Sequence, residues 1–329
     1  MRRCLFKFFS NFERIISNKI RLKKGKVLKS TGKWYLIELE NGETLQAGIR
    51  GRIRLKGIKS TNPVAAGDEV MISENEDGTG VITEILPRHN YIVRKSINLS
   101  KQSHILAANV DRAYLLVTLV APETHLAFID RFLVAAEAYR IPVTLLFNKM
   151  DLYMEEHLPL VDDIMEIYEE IGYPCEKISA LNKTNVEFLR DDIKDKQVMI
   201  AGHSGTGKST LINALDSTLD IKTAEISIHH MQGQHTTTFA EMHKLKTGGY
   251  IIDTPGVKAF GVVDLDKKVM SHYFPEMRAL LNECKFHNCQ HLNEPDCAIK
   301  EAVEYGEIHP SRYNTYLDLI TEDQTQNYR

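Results

Sequence analysis

Nowhere in these 329 residues is there an apolar run approaching the ~20 residues that a bilayer-spanning helix needs, so no membrane span is expected. Internal repeats and low-complexity tracts are also missing, which sets aside solenoid architectures. An excess of positive charge is lacking too. The formal net charge of -3 argues against a uniformly basic nucleic-acid coat, so any RNA contact must come from local basic patches. Cysteine is scarce and badly placed for disulfides: of five, Cys4 and Cys175 stand alone while Cys284, Cys289 and Cys297 crowd the C-terminal region. That distribution points to a metal site in a reducing, cytoplasmic compartment.

The chain is long enough for two or three domains, each with its own core. Residues 1–24 form a basic amphipathic segment, with Arg2, Arg3, Lys7, Arg14, Lys19, Arg21, Lys23 and Lys24 opposed only by Glu13. Lys7 interrupts its apolar stretch and no small-residue cleavage site follows, which disfavours a signal peptide. The preferred reading is a disordered extension or sequence upstream of the true start; a membrane-surface or RNA-contacting helix is the alternative.

From 25 to 103 short strands alternate with turn signals such as Asn41-Gly42 and Asp77-Gly78, which predicts a small β-barrel of the OB type. One expected strand places Arg50, Arg52, Arg54 and Lys56 on a single face. Such a row is either a track for a phosphate backbone or a solvated surface. From 104 to 264 strands and helices alternate and the strands are nearly continuously apolar, predicting a mainly parallel sheet covered on both faces. Residues 265–329 predict a mainly helical domain around a Cys/His knot.

Gly202-His203-Ser204-Gly205-Thr206-Gly207-Lys208-Ser209-Thr210 satisfies G-x-x-x-x-G-K-[ST] between a strand and a helix. Glycines let backbone N–H groups turn toward phosphates, Lys208 neutralises the β- and γ-phosphates, and the Ser209 hydroxyl is placed for Mg²⁺. Asp253-Thr254-Pro255-Gly256 follows another strand; Asp253 suits the Mg²⁺ shell and the Gly256 N–H the γ-phosphate. Asn148-Lys149-Met150-Asp151 ends a further strand. The Asp151 carboxylate can accept from both N1–H and the exocyclic amine of guanine, a donor pair adenine lacks. The Lys149 stem can lie over the base, Asn148 can tie the loop to the phosphate side, and Ser179-Ala180 can present an N–H to guanine O6. These residues together predict a GTP/GDP site.

Their order is reversed from that of Ras-like GTPases, because Asn148–Asp151 and Ser179-Ala180 precede Gly202. That is the pattern of a circular permutation. Val257 stands where a Ras-like enzyme has its water-orienting Gln. The segment Gln234-His235-Thr236-Thr237-Thr238 falls where the first switch belongs. Thr237 or a neighbour is the expected Mg²⁺ and γ-phosphate ligand, and His235 is the candidate for positioning water, against a purely structural switch role. Cys284-x4-Cys289-x-His291-x5-Cys297 offers three thiolates and an imidazole, the donor set of a closed, structural zinc site, with His287 as the alternative imidazole.

With these motifs assembled, the chain from about Gly25 onward resembles the ribosome small subunit-dependent GTPase A family (RsgA, also called YjeQ). Phe274-Pro275-Glu276, Glu294-Pro295 and Arg312-Tyr313 add to the likeness. The resemblance implies an OB-fold, a permuted GTPase domain and a zinc-binding domain. It further implies a cytoplasmic factor that acts late in small-subunit maturation and whose GTPase that subunit stimulates; the subunit and its rRNA are the expected partners, and the protein is expected to be monomeric. A translation or signalling GTPase with a protein partner, and an RNA-binding scaffold with an idle GTP site, are the competing readings.

Overall fold

The computed structural model describes residues 22–49, 63–95, 103–219, 240–253 and 265–322. The Arg50–Lys56 row, the segment holding His235 and Thr237, the Thr254–Gly256 turn and most of the basic N-terminal segment lie outside the described residues.

Five strands close the N-terminal barrel: β1 (Leu22–Ser30), β2 (Tyr35–Leu39), β3 (Thr44–Ile49), β4 (Glu69–Glu74) and β5 (Gly80–Ile85). They run in the order β1-β2-β3-β5-β4, and β4 pairs back on to β1. Alternate residues point inward, so Val27, Ile37, Ala47, Val70, Ile72 and Ile82 make its core. The tight turn at Asn41-Gly42 sets the β2–β3 register, with Glu38 opposite Thr44. The expected N-terminal segment is too long by three residues. Lys23 and Lys24 belong to β1, where cross-strand pairing sets them beside Glu74 and Glu69 of β4.

A two-stranded sheet, β6 (Tyr91–Lys95) and β7 (Ser103–Ala108), follows the barrel. The turn-based reading did not single it out as a separate hairpin.

The second sheet contains β8 (Arg112–Val117), β9 (Val143–Phe147), β10 (Cys175–Lys177), β11 (Gln197–Gly202), β12 (Glu241–Lys244) and β13 (Tyr250–Asp253). Its order is β10-β9-β8-β11-β13-β12, parallel throughout except for β12. Alternation along β8 explains why both faces are covered. Ala113, Leu115 and Val117 pack with α1 (Leu126–Tyr139) and α2 (Leu158–Ile171), through residues such as Ile129, Phe132, Val161 and Tyr168. Tyr114 and Leu116 point the other way, toward α3 (Glu187–Ile193) and α4 (Lys208–Leu215). The unbroken apolar run Ala113–Val117 is what a doubly covered parallel sheet favours.

The two sheets join where β12 meets β1, with Lys29 opposite Glu241. At this seam Glu38 accepts from Lys244 Nζ at 2.6 Å and from Tyr250 Oη at 2.5 Å. Burial works against charge on Glu38, yet these two donors hold its carboxyl below the usual range.

The C-terminal region packs α5 (Pro275–Leu280), α6 (Ala298–Glu304) and α7 (Pro310–Thr321) around Met270, Phe274, Met277, Ile299 and Tyr316, with Val134 of α1 in the same cluster. No helix among the described residues is long and apolar enough to cross a membrane.

Candidate nucleotide site and metal centre

Five parallel strands end along one edge of the second sheet, and the motif residues follow those ends. Asn148 comes directly after β9, Ser179 two residues after β10, His203 after β11, and Asp253 is the last residue of β13. The reversed chain order therefore does not separate them in space.

Asn148, 1% exposed, is the tie between the segments. Its Nδ2 donates to the Thr206 carbonyl at 2.8 Å, and its Oδ1 accepts from the Ala180 N–H at 2.9 Å. Of the Ser179-Ala180 segment expected to offer an N–H to guanine O6, the Ala180 N–H donates to Asn148 in this conformation. Ser179 Oγ donates to the Asp151 carboxylate and accepts from the Asn182 N–H at 3.1 Å, so the second motif also orients the base-reading side chain. The Met150 N–H donates to the Ile178 carbonyl at 3.2 Å, locking the turn against the end of β10. Lys149 has a left-handed backbone, φ 67°, and its ammonium donates to the Ala121 carbonyl.

The phosphate loop wraps the start of α4. A Cβ on Gly207 would lie 2.4 Å from Asn148 Nδ2, and its φ of +99° is left-handed, so only glycine allows the two motifs this close. Thr206 is fully buried, with Oγ1 donating to the His203 carbonyl at 2.9 Å. Lys208 Nζ donates to the carbonyls of Gly202 at 2.8 Å and His203 at 2.5 Å. Ser209 is buried in the first turn of α4, Thr210 half-buried beside it, and Ser204 and Gly205 form the exposed tip of the loop. The His203 ring lies against Phe128 of α1, tilted by 31° with centroids 3.6 Å apart. Burial, then the nearby charges of Lys208 and His125, push its pKa below the ordinary imidazole value.

The second constellation is in the C-terminal domain. The donor atoms of Cys284, Cys289, His291 and Cys297 all lie within 4.8 Å of one another. Tetrahedral zinc with ~2.3 Å bonds to sulfur would set donors about 3.8 Å apart, so the cluster fits the ion. His291 Nδ1 faces Cys284 Sγ at 3.6 Å and Cys297 Sγ at 3.4 Å, while exposed His287 is outside the group. Burial and the neighbouring thiols push Cys289 up to about 12, a state that a bound dication would reverse. The loop is held by Glu294, whose carboxylate accepts from the N–H groups of Gln290 and Leu292, both at 2.8 Å. Tyr313 and Tyr316 donate to the carbonyls of His291 and Gln290 at 2.6 and 2.8 Å.

A buried ionic network docks this domain on α1. Arg312 is fully buried; it donates to Asp130 of α1 at 3.0 Å and to Glu276 at 2.7 and 3.2 Å, and its guanidinium lies over the Phe274 ring. Burial opposes its charge, but the carboxylates of Glu276 and Asp130 outweigh that and raise its pKa. Thr315 and Tyr168 complete Asp130, donating at 2.8 and 2.9 Å. Motif reading missed this network, and its traces were Phe274-Pro275-Glu276 and Arg312-Tyr313, noted only as part of a likeness.

Comparison with known proteins points the same way. The RsgA GTPase family matches residues 85–263, and the RsgA N-terminal domain matches residues 24–82. A Bacteroides fragilis protein named small ribosomal subunit biogenesis GTPase RsgA is 52% identical over 306 residues, covering 93% of this chain and 99% of its own. A Christiangramia forsetii protein of the same name is 54% identical over 309 residues, covering 93% and 98%. The crystal structure of YjeQ from Thermotoga maritima aligns with a TM-score of 0.73 at 35% identity, covering 91% of this chain and 97% of that one. The structure of YloQ, described as a circularly permuted GTPase, aligns at 0.71 and 29% identity, covering 95% and 99%.

Proposed function

This chain belongs to the RsgA GTPase family, and on that premise we propose that it hydrolyses GTP to GDP and phosphate during late maturation of the small ribosomal subunit, binding that subunit and its rRNA, with turnover stimulated by the subunit. The observation that carries the reading is the bridge from Asn148 to Thr206 and Ala180, because it brings a guanine-reading segment and a phosphate loop to one edge. In this reading Asp151 accepts from the guanine N1–H and amine, and Lys149 covers the ring with its stem. The Gly202–Thr210 loop cradles the phosphates and Lys208 neutralises them. Ser209, Asp253 and Thr237 or a neighbour would hold Mg²⁺, which supplies charge against the β- and γ-phosphates. The Gly256 N–H donates to the γ-phosphate, and His235 positions the attacking water. Slow intrinsic turnover follows from Val257 at the place of the usual Gln.

Cys284, Cys289, His291 and Cys297 would hold one zinc ion, whose role with four protein donors is structural. The reading divides the chain into an OB-fold, expected over 25–103 and starting with β1 at Leu22, a permuted GTPase domain over 104–264 and a zinc-binding domain over 265–329. It takes the protein to be cytoplasmic and monomeric. The test is GTP turnover with and without purified small subunits. A severalfold or larger rise is expected; no rise with either mature or immature subunits would sink the ribosomal assignment.

A further inference from the structure

The loop between β8 and α1, residues 118–125, belongs to none of the guanine-nucleotide motifs, yet it touches both halves of the site. On one side the Ala121 carbonyl accepts from the Lys149 ammonium. On the other, a Cβ at Gly205 of the phosphate loop would sit 3.3 Å from Pro122 Cδ. The loop is held in a specific shape. Thr118 Oγ1 donates to the Pro122 carbonyl at 2.6 Å, and the Thr124 N–H donates to the Thr118 carbonyl at 2.7 Å. Ala121 has φ +48°, the left-handed region that a residue with a Cβ adopts only when its surroundings hold it there.

The remaining restraint comes from the base-reading segment itself. Tyr153, two residues past Asp151, accepts a 2.7 Å hydrogen bond from the Leu119 N–H at its phenolic oxygen. Its ring packs against the core below α1 and α2, so the hydroxyl is a fixed point. The chain of contacts therefore runs from Tyr153 to Leu119, through two peptide units to Ala121, and back to Lys149.

We propose that Tyr153 is a positioning residue for guanine binding: its hydroxyl sets the loop whose Ala121 carbonyl anchors the Lys149 ammonium, so that the lysine stem lies where the base stacks. The inference rests on the base-reading assignment of Asn148–Asp151. Lysine has four side-chain torsions and does not hold one pose unaided. An anchored ammonium removes that freedom before the base arrives, which lowers the ordering cost of binding.

The test is a double-mutant cycle on the full-length protein, read as the dissociation rate of fluorescent GDP. Tyr153→Phe removes one hydroxyl and keeps the ring; loss of one hydrogen bond should speed release about fivefold. Lys149→Met should speed release more, and in that background Tyr153→Phe should add less than about twofold. Thr118→Val, which loosens the same loop from its other end, should behave like Tyr153→Phe. Fluorescent inosine diphosphate should be affected as much as GDP, because stacking does not depend on the exocyclic amine. A fivefold effect of Tyr153→Phe that persists undiminished in Lys149→Met would overturn the proposal, since it would mark general loosening, and so would no effect in either background. Failure of the underlying assignment looks different: Asp151→Asn would then leave the preference for guanine over xanthine unchanged.

Discussion

Asn148 and Thr206 lie 58 residues apart and are joined by a 2.8 Å hydrogen bond from the Asn148 amide to the Thr206 carbonyl. The bond is made in a buried setting, where each partner left alone is an unpaired polar group. It fastens the strand ends of β9 and β11, with β8 between them, and so assembles the site irrespective of which segment comes first in the chain.

Replacing this asparagine tests that fastening. Asn148→Ala removes both the Thr206 and the Ala180 bonds, and a buried group left unpaired costs about 1–3 kcal/mol. GDP and GTP affinity should fall at least ~10-fold in a fluorescent-nucleotide titration, with the circular dichroism spectrum retained. Wild-type affinity would mean that the two loops reach their places without it.

Base discrimination is tested at Asp151. Asp151→Asn presents a donor where guanine has donors, so GTP should weaken by about 100-fold or more while xanthosine triphosphate binds better. Competition between the two nucleotides reads the switch directly.

The docking of the C-terminal domain hinges on Arg312. Arg312→Met leaves Asp130 buried without its cation, and breaking such a pair costs about 3–5 kcal/mol. Urea unfolding should shift by that amount, and hydrogen exchange should rise first in α7 and in the facing part of α1. A stability change under ~1 kcal/mol would mean the carboxylates find other partners.

Metal content separates the imidazoles. Cys289→Ser and His291→Ala should each lose zinc and destabilise the C-terminal domain, whereas His287→Ala should keep a full equivalent. Elemental analysis of the purified proteins decides, and a metal-free His287→Ala would reverse the ligand assignment.

Cys175 supplies a pH test. Its thiol is buried, donating to the Met165 carbonyl in the middle of α2, and is pushed up to about 12 by burial and then by Glu169 and Glu176. An exposed thiol titrates near ~8.5, so above that pH the unfolded chain releases a proton that the folded one keeps. The stability this group contributes is complete below the ordinary thiol range and declines as pH rises through it toward the folded value. Alkylation at about pH 9, followed on the peptide containing Cys175, should therefore track unfolding, and rapid labelling of the native protein would contradict the burial.

Much of the site could be read from residue order because loop chemistry is local. Gly202–Thr210 and Asn148–Asp151 each begin at or just past the end of a strand, and Cys284–Cys297 lies between two helical segments, as expected. The partners of those residues were not legible. Asn148 could be given a tie to the phosphate side, but not Thr206 as its acceptor, because a backbone carbonyl leaves no mark on composition. Ser179-Ala180 could be given to the guanine side, but the bond from the Ala180 N–H to Asn148 could not, for the same reason. Arg312, Asp130 and Glu276 read singly as surface charges on helices, and only packing brings them together. The β6–β7 hairpin escaped because nothing in its short strands separates them from the barrel strands before them. Nothing in the sequence singles out Tyr153, because its bond to the Leu119 N–H is made only by the fold.

Among the described residues β12 pairs with β1 through Lys29 and Glu241, and Glu241 in turn lies opposite Asp253, the last residue of β13. The barrel is tied down a second time beside β7, where the Ala108 N–H donates to the Ala66 carbonyl at 2.9 Å and Asn109 Nδ2 donates to the Gly67 carbonyl at 3.0 Å. Asp253 is thus two cross-strand neighbours away from the barrel, and whatever displaces the end of β13 bears on Lys29 through Glu241.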